Sequence, residues 1–167
     1  MFKSGVVFLF LSLSFSGLAQ QTLELEGKWY VHYSNFPMWL KGDKKNPTFN
    51  YIDLGNGKIL DQVKFYKKGK LKTITGFDKP LNKAKTSFLW RGQGLLFIAR
   101  SRWSIFYQNP EKQWIIIGFK KTLFTPQGYD VISRENDLDT GTKEEIIEKL
   151  DELIPGQNLL KIKQVER

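Results

Sequence analysis

The side chains able to do chemistry are few and scattered. The chain has one histidine, His32, and no cysteine. That excludes a Cys/His zinc site, disulfide staples and lipid attachment through a cysteine. His32 lies three positions after Trp29. Strand alternation turns it to the opposite, outer face, away from any nucleophile grouped with Trp29. Asp53, Asp61 and Asp78 fall near turn residues, and no spacing fixes a pair of them at a separation suited to acid–base work. Gly92-Gln93-Gly94 opens no helix, so it is not a phosphate-cradling loop. The residues name no catalytic group, no metal ligand and no cofactor. They point to a protein that binds rather than to an enzyme.

The abundant chemistry is positive charge. Lys and Arg number 26 against 17 acids, a formal net charge of +9 in 167 residues. The first stretch, MFKSGVVFLFLSLSFSGLAQ, has one positive residue, Lys3, then an apolar run from Gly5 to Phe15 and small residues at Gly17-Leu18-Ala19. It reads as a secretory signal over 1–19, too short in its apolar part to span a bilayer. Losing Lys3 leaves the mature chain, 20–167, at +8. The expected location is periplasmic or extracellular. A basic exported protein attracts anionic lipids, phosphates or acidic sugars, and export makes nucleic acid the poorest candidate.

The elements that must position these residues are short β runs with tight turns. They cover Gly27 to Phe36, Thr48 to Leu54, Leu60 to Tyr66, Leu71 to Phe77, Ala84 to Trp90, Trp103 to Gln108, Trp114 to Lys120 and Tyr129 to Glu135. Asn56-Gly57 is a hairpin signal between the second and third. Most runs alternate apolar with polar, so one face is buried. Eight strands in meander order close into a barrel, which removes sticky edges. The period then changes. Thr142 and Glu145 have capping-box spacing, and Ile146, Ile147, Leu150, Leu153 and Ile154 form an apolar stripe. This predicts a helix over about 142–154, ended by Pro155-Gly156. The fold expected is all-β with one C-terminal helix: a single eight-stranded antiparallel up-and-down barrel, with a short ninth strand over 159–165.

Three motifs give this order a family likeness. Gly27-Lys28-Trp29 opens the first strand, the turn Asn109-Pro110-Glu111-Lys112-Gln113 joins the sixth and seventh, and Arg134 ends the eighth. The chain resembles the lipocalins, nearest to their bacterial and plant-type members, across Gly27 to Val165. The resemblance implies a barrel cavity for a small hydrophobic ligand.

Strand direction sorts the ends. Trp29 starts an upward strand and Arg134 finishes a downward one, so both lie at the floor with the Asn109 turn. A guanidinium on an indole face is worth about 0.5–2 kcal/mol. Gly27, Trp29 and Arg134 therefore form a structural floor. The loops at the other end hold Phe36, Trp39, Lys41, Lys67, Arg91 and Arg102, with Asp43 the single acid among many cations. This predicts a basic mouth beside an apolar loop. Alternation assigns Val31, Tyr33, Phe49, Tyr51, Val63, Phe65, Phe88 and Trp90 to the interior as ligand-binding residues. At about 0.8 kcal/mol per buried CH₂, a tail of roughly fourteen methylenes gains on the order of 11 kcal/mol gross, enough for micromolar binding after immobilisation. A fatty acid or lysophospholipid-like lipid suits an apolar interior with a cationic rim. The alternative is a barrel that docks on an anionic membrane surface or a protein partner with no cavity ligand.

Overall fold

The computed structural model describes residues 25–122 and 126–162. The signal segment over 1–19 lies outside the described residues. Eight antiparallel strands follow one another: β1 (Gly27–Ser34), β2 (Lys45–Asp53), β3 (Ile59–Lys67), β4 (Lys70–Pro80), β5 (Ser87–Gly92), β6 (Arg100–Gln108), β7 (Trp114–Phe119) and β8 (Gly128–Ser133). Each pairs with the next, and β1 pairs with both β2 and β8. The sheet therefore closes into an up-and-down barrel. A two-residue strand, β9 (Leu160–Lys161), lies against β1. A one-turn helix, α1 (Pro37–Leu40), follows β1, and a 3-10 turn, Gly94–Leu96, lies between β5 and β6. Pro37 at the first position of α1 is the single local signal for it, and a helix of four residues shows no periodicity.

The helix α2 (Thr140–Leu153) starts earlier than the capping-box reading placed it. Asp139 is the N-cap, and its carboxylate accepts from Thr142 N at 3.0 Å and from Thr142 Oγ1 at 2.6 Å. Thr142 is thus the third helical residue, because a carboxylate three residues upstream outcompetes its hydroxyl as acceptor. Only part of the expected stripe is buried: Ile146, Leu150 and Ile154 are, while Ile147 and Leu153 are exposed. The buried three recur every four residues and pack on Trp114, Ile116, Tyr129 and Val131. This explains why β7 and β8 lack alternation. Their outward residues lie under α2 and their inward residues, Ile115, Ile117 and Ile132, belong to the barrel core.

Two predictions for β1 change for one reason. The register against β8 shifts between Val31 and Tyr33, the signature of a bulge. Past the bulge, the side chains swap faces. Tyr33 leaves the interior, where alternation put it, and joins the outer cluster with Trp114 and Leu150. His32 is not a surface residue but buried. Its Nε2 is 2.9 Å from Ser133 Oγ and 2.9 Å from the Glu135 carbonyl, and burial lowers its pKa below the ordinary value. It is a hydrogen-bonded structural residue tying β1 to the end of β8.

Candidate functional site

The floor is built from three contacts. The Arg134 guanidinium carbon lies 3.8 Å from the centroid of the Trp29 ring. Trp29 Nε1 donates to the Leu25 carbonyl at 2.8 Å, and Arg134 Nη1 donates to the Lys28 carbonyl at 3.3 Å. Gly27 has φ +99°, and a Cβ there would fall 2.9 Å from Arg134 Nη1. Glycine is the residue that permits both the backbone angle and the approach. The Asn109 turn reaches the same end: Arg134 N donates to the Gln113 carbonyl at 2.8 Å. Asn109 Oδ1 accepts from Gln113 N at 2.7 Å and Trp114 N at 2.9 Å.

Above the floor, the barrel holds a cavity of about 250 Å³. Phe49, Tyr51, Val63 and Trp90 line it, as do Phe36 and Trp39. Val31, Phe65 and Phe88 are buried in the same core but pack behind the lining. Phe88 does so by stacking on Trp103 with ring centroids 4.3 Å apart. Of the interior residues expected from alternation, Tyr33 alone faces outward.

The mouth differs from a ring of cations round an exposed apolar loop. α1 folds inward as a lid. Trp39 is 4 % exposed and meets Phe65 edge to face, while Phe36 meets Phe119 the same way at 5.1 Å. The cations stay outside. Lys41 is exposed, and Lys67 is paired with Asp43 at 2.8 Å. Arg91 and Arg102 are exposed on β5 and β6, alternating with inward Trp90 and Trp103. They belong to the outer wall near the mouth and not to its lining, because strand alternation sends neighbours to opposite faces.

The sequence reading missed the carboxylates. Asp61 and Asp130 line the cavity, and Asp78 is fully buried beside Asp61. Each is held by an indole: Trp103 Nε1 donates to Asp78 Oδ1 at 2.7 Å, and Trp90 and Trp39 hydrogen-bond to Asp61 and Asp130. Gly76 makes the Trp90–Asp61 approach possible. It pairs with Asp61 across β3 and β4, and a Cβ on it would fall 2.4 Å from the Trp90 ring. One oxygen of each carboxyl, Asp61 Oδ1, Asp78 Oδ2 and Asp130 Oδ1, is buried without a partner. Burial pushes Asp78 and Asp130 up to about 7. Asp61 is raised well above the ordinary carboxylate value by burial and by the neighbouring Asp78 charge. The alternation that carried Val63 and Phe65 inward carries Asp61 with them, so the signal was present in the period. Among the described residues, no group of three or more His, Cys, Asp or Glu is placed to hold a metal ion.

Solved structures resemble this barrel. Lobster apocrustacyanin A1 superposes with a TM-score of 0.62 at 13 % identity, over 84 % of this chain and 78 % of that one. Per a 4, a major allergen from cockroaches, gives 0.62 at 18 % identity over 93 % and 94 %. H1 crustacyanin from the lobster Homarus americanus gives 0.61 at 14 % identity over 83 % and 76 %. The fold is that of the lipocalins. No family model and no curated protein sequence matches the chain. At these identities the likeness shows the lipocalin fold alone.

Proposed function

We propose that the barrel binds one compact, largely apolar molecule in its interior, for transport, storage or sequestration. The observation that carries this reading is the cavity of about 250 Å³ walled by aromatic side chains and lidded by Phe36 and Trp39. Ligand pockets commonly span roughly 300–1,000 Å³, so the space suits a small ring-bearing molecule better than a long chain. Asp61 and Asp130 offer an anionic head no cation and repel it once they ionise. A fatty acid or lysophospholipid-like lipid would have to leave its headgroup outside, near Lys41 and Lys44. Titration of the purified protein with naphthalene, read by tryptophan quenching, should saturate at one equivalent. Val63→Trp, which fills the cavity, should abolish it; quenching that never saturates overturns the reading.

One observation favours membrane docking as a second activity of the mouth. Leu95, Phe97 and Ile98 are 99 %, 64 % and 68 % exposed in the loop between β5 and β6. Arg91, Arg100 and Arg102 flank them. An apolar tip ringed by cations suits insertion into an anionic bilayer. Co-sedimentation should occur with phosphatidylglycerol-containing vesicles and not with pure phosphatidylcholine, and Phe97→Glu should abolish it. Equal recovery with both vesicles, or an unaffected variant, sinks the idea.

A further inference from the structure

We propose that the cavity ligand carries a protonated amine on its apolar body, held by Asp61 and Asp130. This rests on the cavity-binding reading above and names the ligand class. Both carboxyls line the cavity, and each keeps one buried oxygen without a partner. An ionised carboxylate so placed is costly unless a cation reaches it. Among the described residues, no Lys, Arg or His lines the cavity to do so.

The walls supply the rest of the recognition. Trp39, Trp90 and Trp103 present their rings to the same space, and aromatic faces attract an ammonium once water is excluded. The indole N–H groups are already committed to the three carboxyls. That fixes the acids as acceptors whose open oxygens await a donor. An anion meets like charge there. A neutral alcohol can satisfy one oxygen but offers no charge to stabilise the ionised form of the acid.

The titration behaviour follows from the groups that face the two acids. Burial and then the like charge of Asp78 on β4 raise Asp61, and burial with the charges of Asp61, Asp78 and Asp130 raises Tyr51 on β2. Ser34 on β1 and Trp39 on α1 oppose the burial effect at Asp130. An ammonium entering beside a protonated carboxyl expels that proton to solvent and leaves an ion pair. Amine affinity therefore rises with pH until the acids are ionised in the free protein.

The test compares phenethylamine, phenethyl alcohol and phenylpropanoate by calorimetry, with naphthalene as the control for the cavity itself. The amine should bind at least about tenfold more tightly than the alcohol, with the acid weakest. Asp61→Asn and Asp130→Asn should each bring the amine-to-alcohol ratio towards unity. Because an Asn variant could misfold, the unaltered protein provides a second readout. Its amine affinity should climb between about pH 5 and pH 8, with proton release that depends on buffer ionisation enthalpy. Equal affinities for amine and alcohol in the unaltered protein, or a ratio indifferent to both substitutions, overturn the inference. If naphthalene still binds, the cavity reading survives that result; if naphthalene also fails, both fall.

Discussion

The indole of Trp103 donates to Asp78 Oδ1 at 2.7 Å while its face stacks on Phe88 with centroids 4.3 Å apart. Apolar packing and a buried polar bond are thus joined in one side chain. The same pairing of indole and carboxyl recurs at Trp90–Asp61 and Trp39–Asp130. A tryptophan is suited to this place because it carries a large apolar area and a single donor. The three pairs fix the walls of the cavity before any ligand arrives.

Replacing Trp103 by Phe keeps a ring on Phe88 but removes the donor. Asp78 would then have neither oxygen engaged. Leaving a buried acceptor unsatisfied costs about 1–3 kcal/mol, on top of the lost volume. Asp78→Asn keeps an acceptor for Trp103 and removes the charge, so it should destabilise less than Trp103→Phe. Urea denaturation of the two variants measures the difference. Equal losses would mean that the hydrogen bond contributes little and that the ring is what matters.

At the floor, Trp29 and Arg134 test a separate joint of the barrel. Trp29→Ala should cost about 3–5 kcal/mol, the range for deleting a large buried aromatic. Arg134→Ala should cost less, since its side chain is half-buried and part of its bonding is to the Lys28 carbonyl. A double-mutant cycle on urea-denaturation free energies should return a coupling of about 0.5–2 kcal/mol. Strictly additive losses would show that the guanidinium merely lies near the ring.

Strand order, strand direction and the closed barrel were legible because period-two patterning and tight turns are local signals. The eight runs read from the sequence each overlap an observed strand. The placement of Tyr33 was not legible, because a bulge at His32 is decided by pairing with β8 and leaves no local mark. β7 and β8 were ambiguous because both their faces are apolar, the outer one being reserved for α2. The short lid α1 hid among loop residues, and its inward turn depends on contacts with Phe65 and Phe119 from distant strands. The interior aspartates illustrate a different limit. The alternation already put Asp61 on the Val63 face, but a charge near a turn is ordinarily solvated, and that expectation concealed it.

Stability should depend on pH through the buried acids. Asp78 and Asp130 hold their protons up to about 7 in the folded protein, whereas an unfolded aspartate releases its proton near 3.9, about three units lower. Between those values the folded state binds more protons than the unfolded state. Folding is therefore favoured as pH falls from about 7 towards 4, and stability is lost as pH rises through about 7. Asp61, raised by the same burial, acts in the same sense. His32 acts in the opposite sense: its lowered pKa means the unfolded chain takes up a proton first, so its contribution is lost on acidification below its ordinary value. With three acids against one histidine, the thermal midpoint of the ligand-free protein should be higher at about pH 5.5 than at pH 8, by an amount reflecting a few kcal/mol. Asp130→Asn keeps acceptor oxygen for Ser34 and Trp39 but cannot ionise. It should melt above the unaltered protein at pH 8 and narrow the gap between the two conditions. A midpoint that rises from pH 5.5 to 8, or a substitution that leaves the gap unchanged, would show that Asp130 ionises normally within the barrel.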